Sequence, residues 1–328
     1  MRKIKIGVIG TGHLGSIHTK LWKHNLDVDL VGIYDVDKDK GINIANEYFI
    51  KSFDSLDELF QNVDAVTIAS PTTTHYEVAK LAIENNKHCF IEKPITSTYE
   101  EAVKLIELAE KSKVLIQVGH VERFNPAIKA LKETRIEPMF IEAHRLSQFK
   151  PRATDVSVIH DLMIHDIDLM LLLVNSEIKT LDATGVSVIT DTIDIANARI
   201  KFENGAVANL TASRLSAHPM RKMRIFQKNA YISIDFGNQE VEHFYLSENV
   251  SAENAEYAHL LGSIQDGLKN QNIYYSKPSV PKLNAIEEEQ KAFINAIKYN
   301  EPIAVDAYSA AKALKYAEEI SQQIENQK

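Results

Sequence analysis

Residues 4–15 read IKIGVIGTGHLG, an apolar run that passes directly into the pattern G-x-G-x-x-G. The run Ile4 to Ile9 has the length of a strand, and Ile17 to Trp22 opens a helical stretch. This arrangement is typical of dinucleotide sites. The first glycine allows a tight turn, the second lets backbone amides approach the pyrophosphate, and the third allows close helix–strand packing. The predicted phosphate-binding residues are Gly10, Thr11, Gly12, His13, Leu14 and Gly15.

Asp35 supplies the second half of this pattern. It lies 20 residues after Gly15, at the end of the apolar run Leu30 to Tyr34. A carboxylate at that place accepts hydrogen bonds from the ribose hydroxyls and repels a 2′-phosphate. Because Val36 and Asp37 follow and no arginine stands beside them, the sequence predicts NAD rather than NADP. A turn aspartate with no ligand is the alternative interpretation.

The first third of the chain alternates apolar runs with helical stretches. Further runs cover Ala65 to Ala69, Lys87 to Ile91 and Leu115 to Val118. Strands that alternate with helices predict βαβ units and a parallel sheet that is buried on both faces. We therefore expect an α/β chain in which residues 1–121 form a Rossmann domain with a doubly wound parallel sheet.

The pattern changes after about residue 120. Segments from Leu181 to Leu246 alternate apolar and polar residues, and Asn204-Gly205 between two of them is a strong hairpin signal. Ser251 to Leu283 has weak periodicity and is interpreted as loop with a little helix. Residues 122–328 are expected to form an α+β domain with a large open, mainly antiparallel sheet that binds substrate and supports oligomerisation.

Composition excludes several classes of protein. The chain has 328 residues with 37 Lys and Arg against 45 Asp and Glu, a net charge of −8 that argues against non-specific nucleic-acid binding. Its one cysteine, Cys89, excludes a disulfide framework and a thiolate metal cluster. The longest apolar run, Leu169 to Val174, is too short for a membrane span. No signal peptide is recognisable, so we expect a cytoplasmic protein without nucleic-acid or membrane partners.

Two polar segments follow strands of the predicted parallel sheet. Ser70 to His75 follow one strand, and Glu92-Lys93-Pro94 follows another. Ligands of open α/β sheets bind at the carboxyl ends of strands, and a lysine beside a cationic nicotinamide can act as an acid or base near neutral pH. A helix-capping turn and a surface lysine are the alternatives. The predicted cofactor-binding residues here are Ser70, Thr72, His75, Glu92 and Lys93.

Asp161 and His165 lie four residues apart in a helix predicted over Asp161 to Val174. Residues at this spacing share a helix face, so the carboxylate can orient the imidazole for acid–base chemistry near pH 7. His160 and Asp166 would extend a possible ligand set, but the spacing is not a recognised zinc pattern, and we expect no metal. A solvated polar face is the other interpretation.

With these residues in this order, the chain resembles the glucose–fructose oxidoreductase/inositol dehydrogenase (Gfo/Idh/MocA) family over essentially its whole length. The matching elements are GTGHLG, Asp35, the IEKPI segment around Lys93, and the D-x-x-x-H of Asp161 and His165. The resemblance implies a Rossmann domain, an open sheet domain, and hydride transfer between a nicotinamide and a sugar or cyclitol. It also implies that Lys93, Asp161 and His165 form the catalytic group.

Three further segments resemble the UDP-N-acetylglucosamine 3-dehydrogenase branch of that family. They are VGHVERFNP at 118–126, DLMIHDID at 161–168, and TASR at 211–214 with Arg221 and Lys222. A UDP-sugar carries a pyrophosphate, which arginine binds well, and Arg145 and Lys150 add to the available cations. Solvated strand residues are the alternative for each cation. The predicted substrate-binding residues are Arg123, Asn125, Arg152, Arg214 and Arg221.

This narrower resemblance implies oxidation of the 3-hydroxyl of UDP-N-acetylglucosamine or a close relative. His165 or Lys93 would take the hydroxyl proton, Lys93 would stabilise the developing carbonyl oxygen, and Asp161 would orient its neighbours. An aminotransferase would usually receive the 3-keto sugar, for a cell-surface polysaccharide or lipid A.

Three other functions stay open on the sequence. A free-sugar or inositol dehydrogenase would need no cation cluster, and an NAD-dependent glycosidase of the same fold would release no net NADH. A redox-sensing binding module would need only the cofactor site, so the presence of the three catalytic residues argues against it. The open face of the second sheet, which bears residues such as Val207, predicts a homodimer or homotetramer.

Overall fold

The computed structural model describes residues 2–149, 156–247, 258–266 and 269–327. The chain divides into two compact units. Unit 1 comprises Met1–Val121 and Ala285–Lys315, and unit 2 comprises Glu122–Asn284 and Tyr316–Lys328. Among the described residues, no helix has both the length and the apolar character that a bilayer crossing requires.

Unit 1 contains a parallel sheet. Its strands are β1 (Ile4–Ile9), β2 (Val28–Tyr34), β3 (Lys51–Ser52), β4 (Ala65–Ile68), β5 (His88–Glu92) and β6 (Ile116–Gly119). The helices between them are α1 (His13–His24), α2 (Lys38–Tyr48), α3 (Leu56–Asn62), α4 (His75–Glu84) and α5 (Tyr99–Ser112). The strand order β3-β2-β1-β4-β5-β6 reverses direction between β1 and β4. Such a reversal opens a crevice at the carboxyl ends of the strands, and it confirms the predicted doubly wound sheet.

Unit 2 is built on a mixed sheet of nine strands. They are β7 (Phe140–Leu146), β8 (Ile178–Val186), β9 (Ile195–Phe202), β10 (Val207–Ser213), β11 (Met220–Gln227), β12 (Ala230–Asp235), β13 (Glu240–Ser247), β14 (Ala258–Asp266) and β15 (Lys269–Ser276). The order is β14-β15-β13-β12-β11-β7-β10-β9-β8, and among the described strands of this sheet only β7 and β10 pair in parallel. The mainly antiparallel sheet is confirmed, as is the hairpin at Asn204-Gly205, where Gly205 has φ +87°.

Two helices of unit 2 flank β7 in sequence, one before it and one after it. The first, α6 (Pro126–Lys129), is a single turn, and the second, α7 (Ile164–Val174), packs against β7 and β10. A π-helical turn, Ile159–Met163, runs directly into α7. The helix predicted from Asp161 therefore begins earlier, and its first turn is wider than an α-helical turn.

The hairpin of β14 and β15 differs from the expectation of loop with a little helix. Its strands pair in antiparallel fashion, with a register shift between Leu260 and Gly262. That irregularity interrupts the period-2 pattern on which strand recognition depends. The expectation is therefore wrong for these strands, whereas residues 251–257 lie outside the described part of the chain.

The last two helices are α8 (Ala285–Tyr299) and α9 (Ala307–Glu325). Helix α8 packs against α1, and its Phe293 and Ile294 join the buried cluster that contains Ile6 and Trp22. Residues 285–315 belong to unit 1, whereas the sequence predicts that they are part of a second domain over residues 122–328. Helix α9 begins in unit 1 and ends in unit 2.

Candidate active site

The loop between β1 and α1 has the geometry of a phosphate-binding turn. Gly10 has φ +86°, and a Cβ on Gly15 would lie 1.9 Å from the Gly10 carbonyl oxygen, so neither position accepts a side chain. A Cβ on Gly12 would meet no atom within 4 Å, which leaves room above its backbone. Helix α1 carries no acidic residue in its first turn, so its free amides and positive dipole end suit an anion. The loop therefore fits the pyrophosphate of a dinucleotide.

Asp35 is held against this loop. Its Oδ2 accepts hydrogen bonds of 2.6 Å from both the backbone N–H and the hydroxyl of Thr11, and its Oδ1 accepts one of 2.9 Å from the Asp37 N–H. Burial alone would raise the pKa of Asp35, but these hydrogen bonds outweigh it and hold the pKa below its usual value. The carboxylate is thus ionised at neutral pH and positioned beside the glycine loop, as a ribose-binding group requires.

His75 connects the loops that follow β4 and β5. The side chain is buried, with Nδ1 2.8 Å from the carbonyl oxygen of Pro94 and Nε2 2.9 Å from that of Ser70. Burial lowers the pKa of His75 and outweighs the hydrogen bonds to the two carbonyl oxygens, which raise it. Ser70 and Thr72 remain accessible in part, whereas the predicted cofactor ligand His75 lies beneath them and ties their loop to the Lys93-Pro94 turn.

Glu92 and Lys93 end strand β5. Glu92 is 8% exposed, and its Oε1 lies 2.7 Å from Nε2 of the buried His18. Its Oε2 accepts a hydrogen bond of 3.2 Å from the backbone N–H of Lys93. Burial would raise the pKa of Glu92, but the hydrogen bonds from His18 and from the Lys93 N–H and the charge of Lys93 hold it below its usual value. Lys93 itself is half-buried.

Asp161 and His165 belong to unit 2, whereas Lys93 belongs to unit 1. Asp161 lies in the π-helical turn and His165 in the first turn of α7, and both side chains are half-buried. The amide of Ile164 bonds back to the carbonyl of Ile159, five residues earlier, which marks the wider turn. π-Helical turns inside helices are frequent at functional sites.

Two bidentate ion pairs anchor the beginning of α7. Arg145 on β7 donates hydrogen bonds of 2.9 and 2.8 Å to the two oxygens of Asp166, and Arg123 donates bonds of 2.8 and 2.5 Å to those of Asp168. The negative charges of Asp166 and Glu122 outweigh burial and raise the pKa of Arg145 above its already high usual value. Asp166 and Asp168 follow His165 closely, so these pairs fix the orientation of the helix that carries it.

Asn125 and Glu122 complete this cluster. Asn125 donates a hydrogen bond of 3.0 Å to Glu122 and caps α6 by accepting one of 3.0 Å from the Ala127 N–H. Glu122 in turn accepts a bond of 2.8 Å from Arg145. The side chains of Arg123 and Asn125, which the sequence predicts to bind substrate, therefore form hydrogen bonds within unit 2.

The remaining predicted cations differ in their surroundings. Arg214 is 7% exposed, donates a hydrogen bond to the carbonyl oxygen of Val156, and lies 3.7 Å from Asp194. Arg221 is exposed, and no carboxylate of the described residues forms an ion pair with it. Its register partner on β7 is Arg145, so Arg221 projects from the face of the sheet on which α7 packs. Arg152 lies outside the described residues.

Sequence reasoning missed the role of His18 and the pairing of Asp166 with Arg145. A signal for the second was present, since Asp166 and Asp168 interrupt a largely apolar helix, and charges there need partners. Within the described ranges, no group of three or more His, Cys, Asp and Glu side chains is arranged to hold a metal ion.

Comparison with known proteins identifies both parts of the chain. Residues 4–120 match a family described as "Oxidoreductase family, NAD-binding Rossmann fold", and residues 137–233 match the "GFO/IDH/MocA C-terminal domain". The chain is 36% identical to the UDP-N-acetylglucosamine 3-dehydrogenase of Acidithiobacillus ferrooxidans, over 99% of this chain and 98% of that protein. It is 26% identical to the myo-inositol 2-dehydrogenase of Thermotoga maritima, over 95% and 93% of the two chains.

Solved structures agree with these relationships. A crystal structure of the Acidithiobacillus ferrooxidans enzyme superposes with a TM-score of 0.89 at 35% identity and covers 99% of both chains. A structure of GenD2 from gentamicin A biosynthesis in complex with NAD shares the fold, with a TM-score of 0.79 at 16% identity over 100% of this chain and 96% of that one.

The position of Asp35 predicts strong discrimination between the two nicotinamide cofactors. We expect the purified chain to bind NAD at least about a hundredfold more tightly than NADP, because a 2′-phosphate would meet the fixed carboxylate. Asp35→Asn should lower the ratio of NAD affinity to NADP affinity to below about tenfold, since it removes the negative charge. Isothermal titration with each cofactor measures both ratios.

The matched control for this experiment is Asp37→Asn, two residues further on. Asp37 is exposed and caps α2 through a bond of 3.1 Å from the Lys40 N–H. This variant should keep the wild-type ratio. Equal affinities of the wild-type chain for NAD and NADP would contradict the assignment of Asp35.

Proposed function

Because this chain belongs to the Gfo/Idh/MocA oxidoreductase family and binds NAD through its Rossmann unit, we propose that it oxidises the 3-hydroxyl of UDP-N-acetylglucosamine or of a close UDP-sugar. The observation that carries this proposal is the full-length similarity, at 36% identity, to an enzyme of that activity. The inositol dehydrogenase is similar at 26%. An exposed cation near α7, Arg221, supports the same choice.

The chain's own residues have distinct tasks in this reaction. The glycine loop and Asp35 hold the cofactor, which when bound accepts the hydride from carbon 3. Lys93 and His165 serve the reacting hydroxyl: one takes its proton, and Lys93 stabilises the oxygen as it becomes a carbonyl. Asp161 orients these neighbours. The anchoring of α7 by Arg145 and Asp166 supports this assignment, because a proton acceptor must be held in place.

We propose that Arg221 binds the diphosphate of the substrate. Arg221 is exposed, and its positive charge interacts electrostatically with Asp166 at the start of α7. Arg123 and Arg145 are committed to carboxylates, whereas Arg221 has no such partner among the described residues. An arginine with its donors available can form two parallel hydrogen bonds to a phosphate.

A second copy of the chain is the proposed partner of unit 2. Aromatic side chains cross five adjacent strands in register, with ring centroids 4.8–5.7 Å apart. They lie on the face opposite to buried residues such as Ile225 and Ile232, and a half-buried apolar row of this kind favours association. The row consists of Phe140, Phe226, Tyr231, Phe244 and Tyr275.

The reaction is proposed to take place in the cytoplasm, and cell fractionation tests this location. Its 3-keto product would serve an enzyme that adds nitrogen to a carbonyl, such as an aminotransferase supplying a cell-surface polysaccharide or lipid A.

Substrate selectivity gives the main test. The purified chain is incubated with NAD and UDP-N-acetylglucosamine, other UDP-sugars, free N-acetylglucosamine or inositol, and NADH absorbance is followed. The nucleotide sugar should react far faster than the free sugar, because binding energy from the UDP part orients the reacting carbon. UDP alone should compete. Turnover of inositol without inhibition by UDP would favour an inositol dehydrogenase. Cleavage of a glycoside without net formation of NADH would favour a glycosidase.

Arg221 supplies the variant arm of that test. Arg221→Gln should raise KM for the nucleotide sugar by roughly 10- to 150-fold, equivalent to about 1.5–3 kcal/mol for a lost charged hydrogen bond. Arg224→Gln is the matched control, since Arg224 lies on the same strand with its side chain paired to Glu142 on the opposite face. An equal effect of both substitutions would count against a diphosphate role.

The catalytic assignment predicts two large losses of turnover. Lys93→Met and His165→Ala should each lower kcat by about 10²- to 10⁴-fold, the usual contribution of a placed acid or base. His165→Ala should leave the NAD affinity unchanged, because His165 belongs to unit 2. Steady-state kinetics and isothermal titration measure the two quantities. Near wild-type kcat in His165→Ala would show that its role is structural.

Light scattering after size-exclusion chromatography tests the proposed assembly. The wild-type chain should elute as a dimer or tetramer, and Tyr231→Glu should lower the mass by placing a charge in the aromatic row. Phe49→Glu is the control, because Phe49 is 90% exposed and lies in unit 1. A monomeric wild-type chain would contradict the proposed assembly.

A further inference from the structure

A buried chain of polar side chains in unit 1 leads from helix α8 to the proposed catalytic lysine. Gln290 on α8 and His18 on α1 are both fully buried. Nε2 of Gln290 lies 2.9 Å from Nδ1 of His18, whose Nε2 lies 2.7 Å from Oε1 of Glu92. The second oxygen of Glu92 accepts the backbone N–H of Lys93 at 3.2 Å. Hydrogen bonds thus connect α8 to the carboxylate of Glu92 on β5 through His18 on α1.

The hydrogen-bond partners determine where the imidazole proton lies. Nε2 of Gln290 is also 3.4 Å from the carbonyl oxygen of His18, which can only accept a hydrogen bond. The group that faces His18 is therefore the amide nitrogen, and it donates to Nδ1 as well. With Nδ1 acting as an acceptor, the proton of a neutral imidazole resides on Nε2 and points at Glu92. Gln290 accordingly fixes the tautomer that meets the carboxylate.

The packing around this chain leaves it little freedom. The ring of His18 lies 5.0 Å from that of Phe90, which in turn lies 5.9 Å from the ring of Phe293 on α8. On the other side, a Cβ added to Gly119 would lie 2.9 Å from Oε2 of Glu92. The carboxylate therefore occupies a space that only a glycine at position 119 leaves open. This close approach restricts the Glu92 carboxylate on the side of β6.

We propose that His18 and Gln290 are positioning residues for Lys93, acting through Glu92. Gln290 fixes the imidazole, the imidazole fixes the carboxylate, and the carboxylate fixes the backbone of Lys93 and places a negative charge beside it. This inference rests on the proposed role of Lys93 and extends it to a helix, α8, that carries no predicted site residue. His18 follows the glycine loop on α1, so the same helix serves the cofactor site and the lysine.

Matched glutamine substitutions test the proposal. Gln290→Met removes the donor to His18 while preserving side-chain length. Gln117→Met is the control, because Gln117 is equally buried and its Nε2 donates a hydrogen bond of 2.7 Å to the carbonyl oxygen of Glu289 on α8, whereas its side chain forms no hydrogen bond to His18 or Glu92. Thermal unfolding compares the cost to stability of each variant. Gln290→Asn, which keeps the amide on a shorter stem, replaces Gln290→Met if that variant does not fold.

Two readouts separate positioning from stability. We expect Gln290→Met to lower kcat at least about tenfold with KM for NAD within about twofold, whereas Gln117→Met keeps both values. Independently of any substrate, the acetylation rate of Lys93 relative to the exposed Lys104 is followed by peptide mass spectrometry. Glu92→Gln should raise this ratio at least about threefold, because the variant no longer places a negative charge beside the Lys93 side chain. Gln290→Met should raise it less, and Gln117→Met should leave it unchanged.

The outcomes are distinguishable. Wild-type kcat and acetylation in Gln290→Met, or equal losses in Gln290→Met and Gln117→Met, would overturn the positioning role. If the wild-type chain oxidises no nucleotide sugar, the proposed function fails, while the acetylation ratios still decide whether Gln290 acts on Lys93.

Discussion

The carboxylates of Glu92 and Asp166 lie out of water, and each must be met by hydrogen-bond donors because an unpaired buried charge costs several kcal/mol. The imidazole of His18 and the backbone amide of Lys93 form hydrogen bonds with Glu92, and the guanidinium of Arg145 forms them with Asp166. Each carboxylate stands one residue from a proposed catalytic side chain, Lys93 in one unit and His165 in the other. The pairing that neutralises each buried charge thereby also fixes the backbone from which these side chains project.

The cofactor site could be predicted because its chemistry is local. The turn at Gly10, the close packing at Gly15 and the carboxylate of Asp35 all come from short segments whose spacing is visible in the sequence. The fold class followed for a similar reason, since alternating apolar runs and helical stretches predict a parallel sheet. Lys93 could be placed because it directly follows a strand of that sheet.

The partners of buried charges could not be predicted in the same way. The sequence shows that Arg123 and Arg145 are cations and predicts that they are available for a substrate phosphate. It does not show that Asp168 and Asp166 pair with them in the folded chain. The packing of α8 on unit 1 is equally non-local, because an amphipathic helix does not specify which sheet it covers. His18 escaped notice because its partners, Glu92 and Gln290, lie 74 and 272 residues away.

The π-helical turn Ile159–Met163 amounts to one extra residue within a helix. An α-helix rotates by about 100° per residue, so loss or gain of one codon between Asp161 and His165 would turn the first side chain to another side of the helix. The rest of α7 would stay where Asp166 and its arginine hold it. A single insertion or deletion in this turn can therefore change the substrate preference while every catalytic residue type is retained.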